Sequence, residues 1–351
     1  MTKLFQGDLR VMRSLSKAIF IASLTLLGST GADLASADPN SLMDAESLDV
    51  IQSVAPEVFK DLAATDSGST VIRSTNQVIA KSSDDLTAEI SLNPQEGIVM
   101  NDEAMPGENI GISIGSTQQA ETGVEVQPGI VSFKAVGKTS VVTVLKEQGS
   151  VQVATVIRSP TDPIRYDYDL SLPSGAQIVK QDGAIFVLNS RGEFIGGLAQ
   201  PWARDSEGQE IPTHYEVNGS TITQVVAHNT GDWVYPIVAD PYLGKSLLLS
   251  WSRVPLTCSS QGCLYKHSFQ ISDWGIAVYA SGTAGAKVLQ SLGWAEAQGK
   301  YDTVGRYKTT KNQWDCHALG YWTGKTGTWD LEETRRPTAN RWTWSWHSCN
   351  W

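Results

Sequence analysis

The sequence contains few histidines and cysteines, which most metal sites need, and few long apolar runs, which membrane anchors need. It has five histidines and four cysteines in 351 residues. The histidines show no metal-binding spacing such as His-Glu-x-x-His, so we expect no metal and no cofactor. Beyond the N-terminal segment, no stretch is apolar enough to anchor the chain in a membrane. The five histidines are His214, His228, His267, His317 and His347.

The N-terminal segment has the composition of an export signal. Its apolar run at residues 18–27 follows a basic lead and is too short to span a bilayer, which needs about 20 apolar residues. Ala35 and Ala37 supply the small residues that signal peptidase requires. We therefore predict a signal peptide over residues 1–37 and a secreted, extracellular protein without a lipid anchor, because no cysteine lies near the cleavage site. Met12 is an alternative start.

All four cysteines and ten of the twelve tryptophans lie after Pro241. In an exported chain an even number of cysteines is typical of disulfides. Cys258 and Cys263 are close enough in sequence to close a tight loop, in which case Cys316 and Cys349 close a larger one. The larger loop would stabilise the fold by about 3 kcal/mol or more. Three pairings are open from the residues alone.

Charge is divided unevenly along the chain. Residues 38–243 contain 11 Lys and Arg against 28 Asp and Glu, a net charge of −17. Residues 244–351 contain 12 against 7, a net charge of +5. This asymmetry suggests either two different partners or one half that shields the other. Acidity that only keeps a secreted protein soluble is the alternative.

The class predicted for the chain is mainly β. Residues 38–84 are predicted to be a helical leader and linker, because apolar residues recur every three or four positions before a polar stretch at 65–70. A mobile arm is the alternative for this leader. Residues 85–243 are predicted to form an antiparallel β-sandwich-like domain of short β-branched strands. Two hairpins are expected at Asp182-Gly183 and Asn218-Gly219, since both dipeptides tolerate positive φ.

Residues 244–351 are predicted to form a small, disulfide-linked α+β domain. Strands are expected at 247–253, 265–272 and 275–280, and a helix at 281–298, where apolar residues form one stripe. Residues 341–346 alternate strictly, so three tryptophans there face one side. Because each buried aromatic side chain contributes about 2–3 kcal/mol, we expect several tryptophans in the core. An exposed aromatic platform for sugars or lipid headgroups is the alternative.

The middle region contains three short motifs, at residues 201–205 (Pro-Trp-Ala-Arg-Asp), 217–219 (Val-Asn-Gly) and 235–241 (Tyr-Pro-Ile-Val-Ala-Asp-Pro). With these motifs it resembles a β-domain common in exported actinobacterial proteins. This resemblance implies a structural module of the cell surface rather than a catalyst.

The last hundred or so residues contain a series of short motifs: residues 316–320 (Cys-His-Ala-Leu-Gly), Lys325, 328–332 (Thr-Trp-Asp-Leu-Glu), Arg336-Pro337 and Cys349-Asn350. These motifs resemble the family called domain of unknown function 2599, found in secreted actinobacterial proteins. An extra residue before Arg336 and the terminal Trp351 depart from the family's pattern. The resemblance implies secretion, a domain boundary and a Cys316–Cys349 disulfide, and it implies no activity.

Two short matches to catalytic motifs are weak. Residues 111–115 (Gly-Ile-Ser-Ile-Gly) fit the string of a nucleophile elbow, but their surroundings predict antiparallel strands instead of a strand, a turn and a helix. Cys316-His317 places a thiol beside a base, but a disulfide is favoured, and adjacent residues on a strand point to opposite faces. We therefore expect no enzymatic activity, and a cell-wall hydrolase is kept as an alternative.

Basic and aromatic side chains alternate near the end of the chain, a combination that favours anionic surfaces. The predicted binding surface consists of Trp322, Trp329, Arg335, Arg336, Arg341 and Trp342. The expected partners are an anionic cell wall or membrane and the acidic N-terminal part of the same chain, whereas no nucleic acid is expected. A solvated basic rim around a tryptophan core is the alternative.

The leading hypothesis is a secreted, non-enzymatic protein whose C-terminal domain binds the bacterial cell envelope. In its most specific form the domain is an antibacterial toxin, released from an acidic pro-region by cleavage near Lys245. A structural or adhesive surface protein is the second hypothesis, and a hydrolase of the cell wall is the third.

Overall fold

The computed structural model describes residues 39–63, 69–82, 86–117, 120, 122–135, 139–280, 282–320, 327–337 and 349. Residues from Pro39 to Trp351 form one compact unit. The predicted class is confirmed, because antiparallel sheets dominate and a small helical region follows them. Within the described chain, no helix is both long enough and apolar enough to cross a membrane.

A leader helix covers one face of the β-domain. Helix α1 (Pro39–Val54) ends before Pro56, and a single 3-10 turn (Pro56–Phe59) follows. Ile51 and Val58 lie in a cluster with Val142 and Val156 of the sheet beneath them. The buried Lys146 ammonium donates to the carbonyl oxygens of Val58 (2.5 Å) and Lys60 (2.6 Å), which fastens the end of the leader. The leader is therefore packed against the sheet and does not form a free arm.

The first sheet has eight antiparallel strands in the order β1-β2-β3-β4-β5-β10-β16-β15. It begins before the predicted boundary at residue 85, because residues 70–81 contribute two strands and not a linker. Because these strands are only four and five residues long, the alternation of apolar and polar residues is too short there to predict a strand. The strands are β1 (Thr70–Arg73), β2 (Gln77–Lys81), β3 (Leu86–Ser91), β4 (Ile98–Asp102), β5 (Ile110–Ile114), β10 (Arg165–Ser171), β15 (Thr213–Asn218) and β16 (Thr221–Val226).

The second sheet has ten strands, eight of them in the order β11-β12-β13-β18-β9-β8-β7-β6. Its last strand, β18, crosses the predicted boundary at 243/244. The strands are β6 (Val124–Gln127), β7 (Ile130–Lys134), β8 (Ser140–Leu145), β9 (Val151–Ile157), β11 (Gln177–Gln181), β12 (Ala184–Leu188), β13 (Phe194–Leu198), β14 (Ala203–Arg204), β17 (Ile237–Ala239) and β18 (Tyr242–Gly244).

The two sheets pack face to face around one aliphatic core. In β10 every second residue points inward, as a strand with one solvated face requires. Strands β8 and β9 are buried along their whole length, because the first sheet covers one of their faces and the leader covers the other. This double cover explains their continuous β-branched sequences.

Both predicted hairpins are present, and one is shifted by a residue. Asp182 and Gly183 form the two-residue turn between β11 and β12, with φ of 52° and 92°. In the second hairpin Asn218 still pairs with Thr221, so the turn is Gly219-Ser220. Gly219 has φ of 62°, which fits the first central position of a turn that requires glycine there.

The C-terminal region, which we call the tail, contains the predicted mixture of strands and helices. A three-stranded sheet has the order β19-β20-β21. Its elements are β19 (Leu248–Ser259), β20 (Gly262–Ile271), α2 (Asp273–Tyr279), α3 (Thr283–Val288), a π-helical turn (Leu289–Gly293), α4 (Trp294–Lys300), a 3-10 turn (Asp302–Gly305), α5 (Lys308–Leu319) and β21 (Thr328–Glu332). The strand predicted at 341–346 lies outside the described residues.

The strand predicted at 275–280 is wrong, because these residues belong to helix α2. The Ser272 hydroxyl caps this helix by accepting from the Gly275 amide at 2.9 Å, which is a strong helix-start signal. Trp274 and Val278, four positions apart, are both buried on the same face. A side chain on Gly275 would lie 2.5 Å from the Leu247 carbonyl oxygen, so only glycine fits there.

The tail docks on the sandwich through an aromatic junction. The Trp274 ring stacks on Phe194 with centroids 5.6 Å apart and meets Phe186 edge-on at 6.4 Å. Its indole N–H donates to the Tyr242 carbonyl oxygen at 3.1 Å. A side chain on Gly244 would come within 2.4 Å of the Trp274 ring. The contact between the two regions is therefore apolar at Trp274, and next to it Gln148 and Asp273 exchange two hydrogen bonds.

Candidate functional site: a cationic hairpin and its aromatic base

The most exposed part of the tail is the hairpin of β19 and β20. Residues 252–259 of β19 are all exposed, whereas β20 becomes buried toward its end. We call residues 252–266 the arm. Cys258 and Cys263 lie directly opposite each other near its end and form a disulfide, which confirms the predicted tight loop.

The hairpin carries positive charge and no negative charge. From Leu248 to Ile271 it contains Arg253 and Lys266 and no Asp or Glu, and the charge of Lys266 is partly balanced by Asp330 of β21, 3.2 Å away. Two aliphatic side chains of the arm face solvent, since Val254 is 45% exposed and Leu256 is 41% exposed. Cationic and apolar groups therefore share one projecting element.

Aromatic rings hold the cations around the base of the arm. The Arg253 guanidinium lies over the rings of Tyr265 (4.5 Å) and Tyr301 (5.2 Å). The Lys300 ammonium lies over Trp251 at 4.1 Å. Such contacts contribute about 0.5–1 kcal/mol at exposed sites. These contacts fix the direction of the cations and leave their charge unbalanced, because an aromatic ring, unlike a carboxylate, carries no net negative charge.

Two more cations of the tail have the same arrangement. Lys311 lies over the Trp294 ring at 5.5 Å and Arg306 over the Tyr307 ring at 5.4 Å. Lys311 also contacts the Asp315 carboxylate, so part of its charge is balanced. We call Trp251, Tyr265 and Tyr301 the aromatic base of the arm. Arg253 and Lys300 are the two cations that lie over its rings.

A buried polar pair fastens the arm to the rest of the tail. The His267 Nε2 atom lies 3.0 Å from the Glu333 Oε1 atom, and both side chains are buried. The other oxygen of Glu333 accepts from the Tyr265 amide at 2.8 Å. This carboxylate is therefore occupied by the hairpin that it supports.

The predicted binding surface is corrected at one position. Trp329 is only 1% exposed and lies between the rings of Trp314 (5.0 Å) and His317 (5.5 Å), so it is a core residue. Arg335 is half-buried and donates to Glu332 at 2.7 Å, whereas Arg336 is exposed. The remaining members of the set, Trp322, Arg341 and Trp342, lie outside the described residues.

The second disulfide joins Cys316 to Cys349, as the resemblance implies. Cys316 and His317 lie on helix α5, so the argument from a strand was wrong. The bond to Cys349 leaves no thiol at Cys316. Burial lowers the pKa of His317 to about 4, and its ring stacks on Trp329. Cys316 and His317 therefore have a structural role in the core and do not act as a nucleophile and its general base.

The Ser113 motif has no catalytic surroundings. Ser113 lies in the middle of antiparallel strand β5, beside a groove of about 470 Å³ whose described lining contains no histidine. Both ring nitrogens of His228 are engaged elsewhere, by Tyr235 at 2.9 Å and by the Pro163 carbonyl oxygen at 3.0 Å. Among the residues that the structure describes, no group of three or more His, Cys, Asp or Glu side chains is placed to hold a metal ion.

Comparisons of this chain with models of protein families, with curated proteins and with solved structures found no match. The two resemblances drawn from short motifs therefore stay predictions. The arrangement of the arm and its aromatic base is the best guide to what the protein does.

Proposed function

We propose that the chain is a secreted, non-enzymatic protein whose tail binds an anionic bacterial cell envelope. The observation that carries this proposal is the pair Arg253 and Lys300, held on aromatic rings beside an acid-free hairpin. The two disulfides are consistent with an extracellular protein.

The charge of the tail favours an anionic partner over a neutral one. A cation near an anionic surface contributes about 1 kcal/mol, and the tail has a net charge of +5 from 12 basic and 7 acidic residues. Tryptophan and tyrosine rings prefer the boundary between water and an apolar phase. Arg253 and Lys300 combine both properties in one place.

Binding in this form needs no release from the acidic part of the chain. The sandwich contacts the tail at Trp274, whereas the arm remains exposed. Lys245, near the cleavage site expected for a toxin, is 3% exposed, and its ammonium contacts the Glu108 carbonyl oxygen. These contacts support an intact chain better than a toxin with a removable pro-region.

The intact arrangement also favours the second candidate, a structural or adhesive surface protein. In that case the sandwich would be the body of the protein and the tail its recognition domain. The Trp274 junction supports this version, because it joins the two regions through buried rings and not through a flexible linker.

The proposal is tested by binding residues 39–351 to intact bacteria over a range of salt concentrations. We expect Arg253→Gln with Lys300→Gln to weaken binding by roughly 30-fold at low salt, from about 1 kcal/mol for each cation. The matched control is Arg165→Gln with Arg191→Gln, which removes the same charge from exposed positions of the sandwich. Equal binding by the two double variants would contradict the proposal.

A further inference from the structure

We infer that the arm is a lipid-binding element that lies along the surface of an anionic bilayer, with Val254 and Leu256 in contact with the acyl chains. The inference rests on the proposed function and names its partner and its contact residues. It follows from three features of the arm: its exposed apolar residues, the position of cations and rings relative to them, and an edge strand that is poorly suited to pairing.

The exposed apolar residues of the arm are concentrated. Six large hydrophobic side chains are exposed in the described part of the chain, and two of them, Val254 and Leu256, lie within three consecutive residues. Pro255 between them adds a third apolar group, and it is exposed as well. Neighbouring exposed apolar residues indicate a contact surface better than scattered ones do.

The two faces of the arm carry the chemistry of different depths of a bilayer surface. On one face Arg253 is held over the Tyr265 ring, beside Lys300 over Trp251. Val254 follows directly after Arg253, and adjacent residues on a strand point to opposite faces. In membranes, basic and aromatic side chains occupy the headgroup region and aliphatic ones the acyl region. A protein that lies on a bilayer would bury Val254 and Leu256 beneath these rings.

The arm is poorly suited to pairing with a strand of another protein. Strand β19 is an edge of the three-stranded sheet, but Pro255 has no N–H to donate, and the register is broken between Pro255 and Thr257. Proline and bulges are the devices that keep an edge strand from pairing. Side chains, and not the backbone, are therefore the binding groups of the arm.

A wall polysaccharide fits the arm less well than a lipid. Sugars bind proteins through hydroxyl groups and by stacking on aromatic faces, but Arg253 and Lys300 already cover one face of Tyr265 and Trp251. Val254 and Leu256 have no hydrogen-bonding groups for a polymer rich in hydroxyls. Acyl chains, in contrast, gain from contact with both side chains.

The experiment measures sedimentation of residues 39–351 with vesicles of phosphatidylglycerol and phosphatidylcholine in equal amounts, and with vesicles of phosphatidylcholine alone. This form lacks the apolar run at 18–27, which would bind lipid by itself. The test variant is Val254→Asp with Leu256→Asp. The control is Ile72→Asp with Val217→Asp, which places the same charges at equally exposed positions of the sandwich.

We expect binding to the anionic vesicles, little binding to the neutral ones, and a loss of about tenfold or more in the arm variant but not in the control. Circular dichroism of each variant checks that it is folded. Unchanged binding of the folded arm variant would overturn the inference. Binding to bacteria without binding to the vesicles would overturn it too, yet leave the proposed function standing. Failure to bind either would reject both.

Discussion

The sandwich and the tail solve the problem of stability in different ways. The sandwich has no cysteine and a core that consists mostly of Val, Ile and Leu from two sheets. The tail has two disulfides and a core built around Phe269, Trp274, Trp314 and Trp329. A region of about a hundred residues buries a smaller fraction of its surface than a larger one, which leaves it less margin of stability from the core alone. Large rings and cross-links supply the difference, and they leave the arm free to project.

Two buried groups, one in each region, change stability with pH in opposite directions. In the sandwich, burial raises the pKa of Asp240 to about 8, so the folded form holds a proton that the unfolded form loses near pH 4. Stability then falls as pH rises from about 4 to about 8. In the tail, burial lowers the pKa of His317 to about 4. The unfolded form gains a proton there first, so stability falls as pH drops from about 6.5 to about 4.

The largest effect is expected from Asp240→Asn, which removes the pH response of the sandwich. Between pH 5 and pH 8 the natural protein should lose up to about 1.4 kcal/mol of unfolding free energy per pH unit from this group. The variant should lose much less, because the asparagine amide does not titrate, while the Trp202 amide that donates to Asp240 at 2.8 Å would still find an acceptor. Urea unfolding at several pH values measures this, with the exposed Glu207→Gln as control. Parallel pH profiles for the natural protein and Asp240→Asn would refute it.

Trp314→Ala should destabilise the tail by about 3–5 kcal/mol, the range for a buried tryptophan. Its ring contacts Phe269 at 5.6 Å and Trp294 at 5.7 Å, and its indole N–H donates to the Leu289 carbonyl oxygen at 2.8 Å. Thermal unfolding followed by near-ultraviolet circular dichroism would show whether the tail unfolds first. A single cooperative transition would mean that the Trp274 junction couples the two regions.

Removing the Cys316–Cys349 disulfide should cost about 4 kcal/mol, since the bond closes a loop with a sequence separation of 33. The Cys258–Cys263 bond has a separation of 5, so its loss should cost only about 2 kcal/mol. Paired Cys→Ala variants in urea measure both values. Equal losses would show that the tight loop has a role in the core, against its exposed position.

His317→Gln should change stability by about 3 kcal/mol in total, spread over the window from pH 6.5 to pH 4, so the change is only about 1.4 kcal/mol per pH unit. Glutamine gains no charge at low pH, so the variant should keep its stability in acid better than the natural protein. At pH 8 the variant should be less stable, because the stack on Trp329 is lost. The measurement is the ratio of the unfolding midpoint at pH 5 to that at pH 8, for the natural protein and for the variant. The same ratio in both proteins would mean that another group causes the acid sensitivity.

The fold was more predictable from the sequence than the candidate site. Strand period and turn dipeptides are local signals, so the sandwich and both hairpins follow from them. Helix α2 did not, because Ile276 and Val278 favour a strand locally, whereas the Ser272 cap and the packing of Trp274 decide for a helix. Likewise, the alternation of residues in β21 could not show that the strand face carrying Trp329 is the buried one.

The site depends on contacts between residues far apart in sequence. Arg253 meets Tyr301, and Trp251 meets Lys300, nearly fifty positions away in each case. No spacing rule reports such pairs. The one local signal was the absence of Asp and Glu between Leu248 and Ile271. It indicates a cationic element, although it does not reveal which rings hold the cations.

The disulfide near the end of the arm has a consequence for resistance to proteolysis. Ser259, Ser260 and Gln261 are exposed, and exposed tips of small polar residues are where proteases cut most readily. Because Cys258 and Cys263 lie on either side of these residues, a single cut between them leaves both strands covalently joined. A nicked arm would therefore keep its two strands in register, and Arg253, Val254 and Leu256 would stay in place.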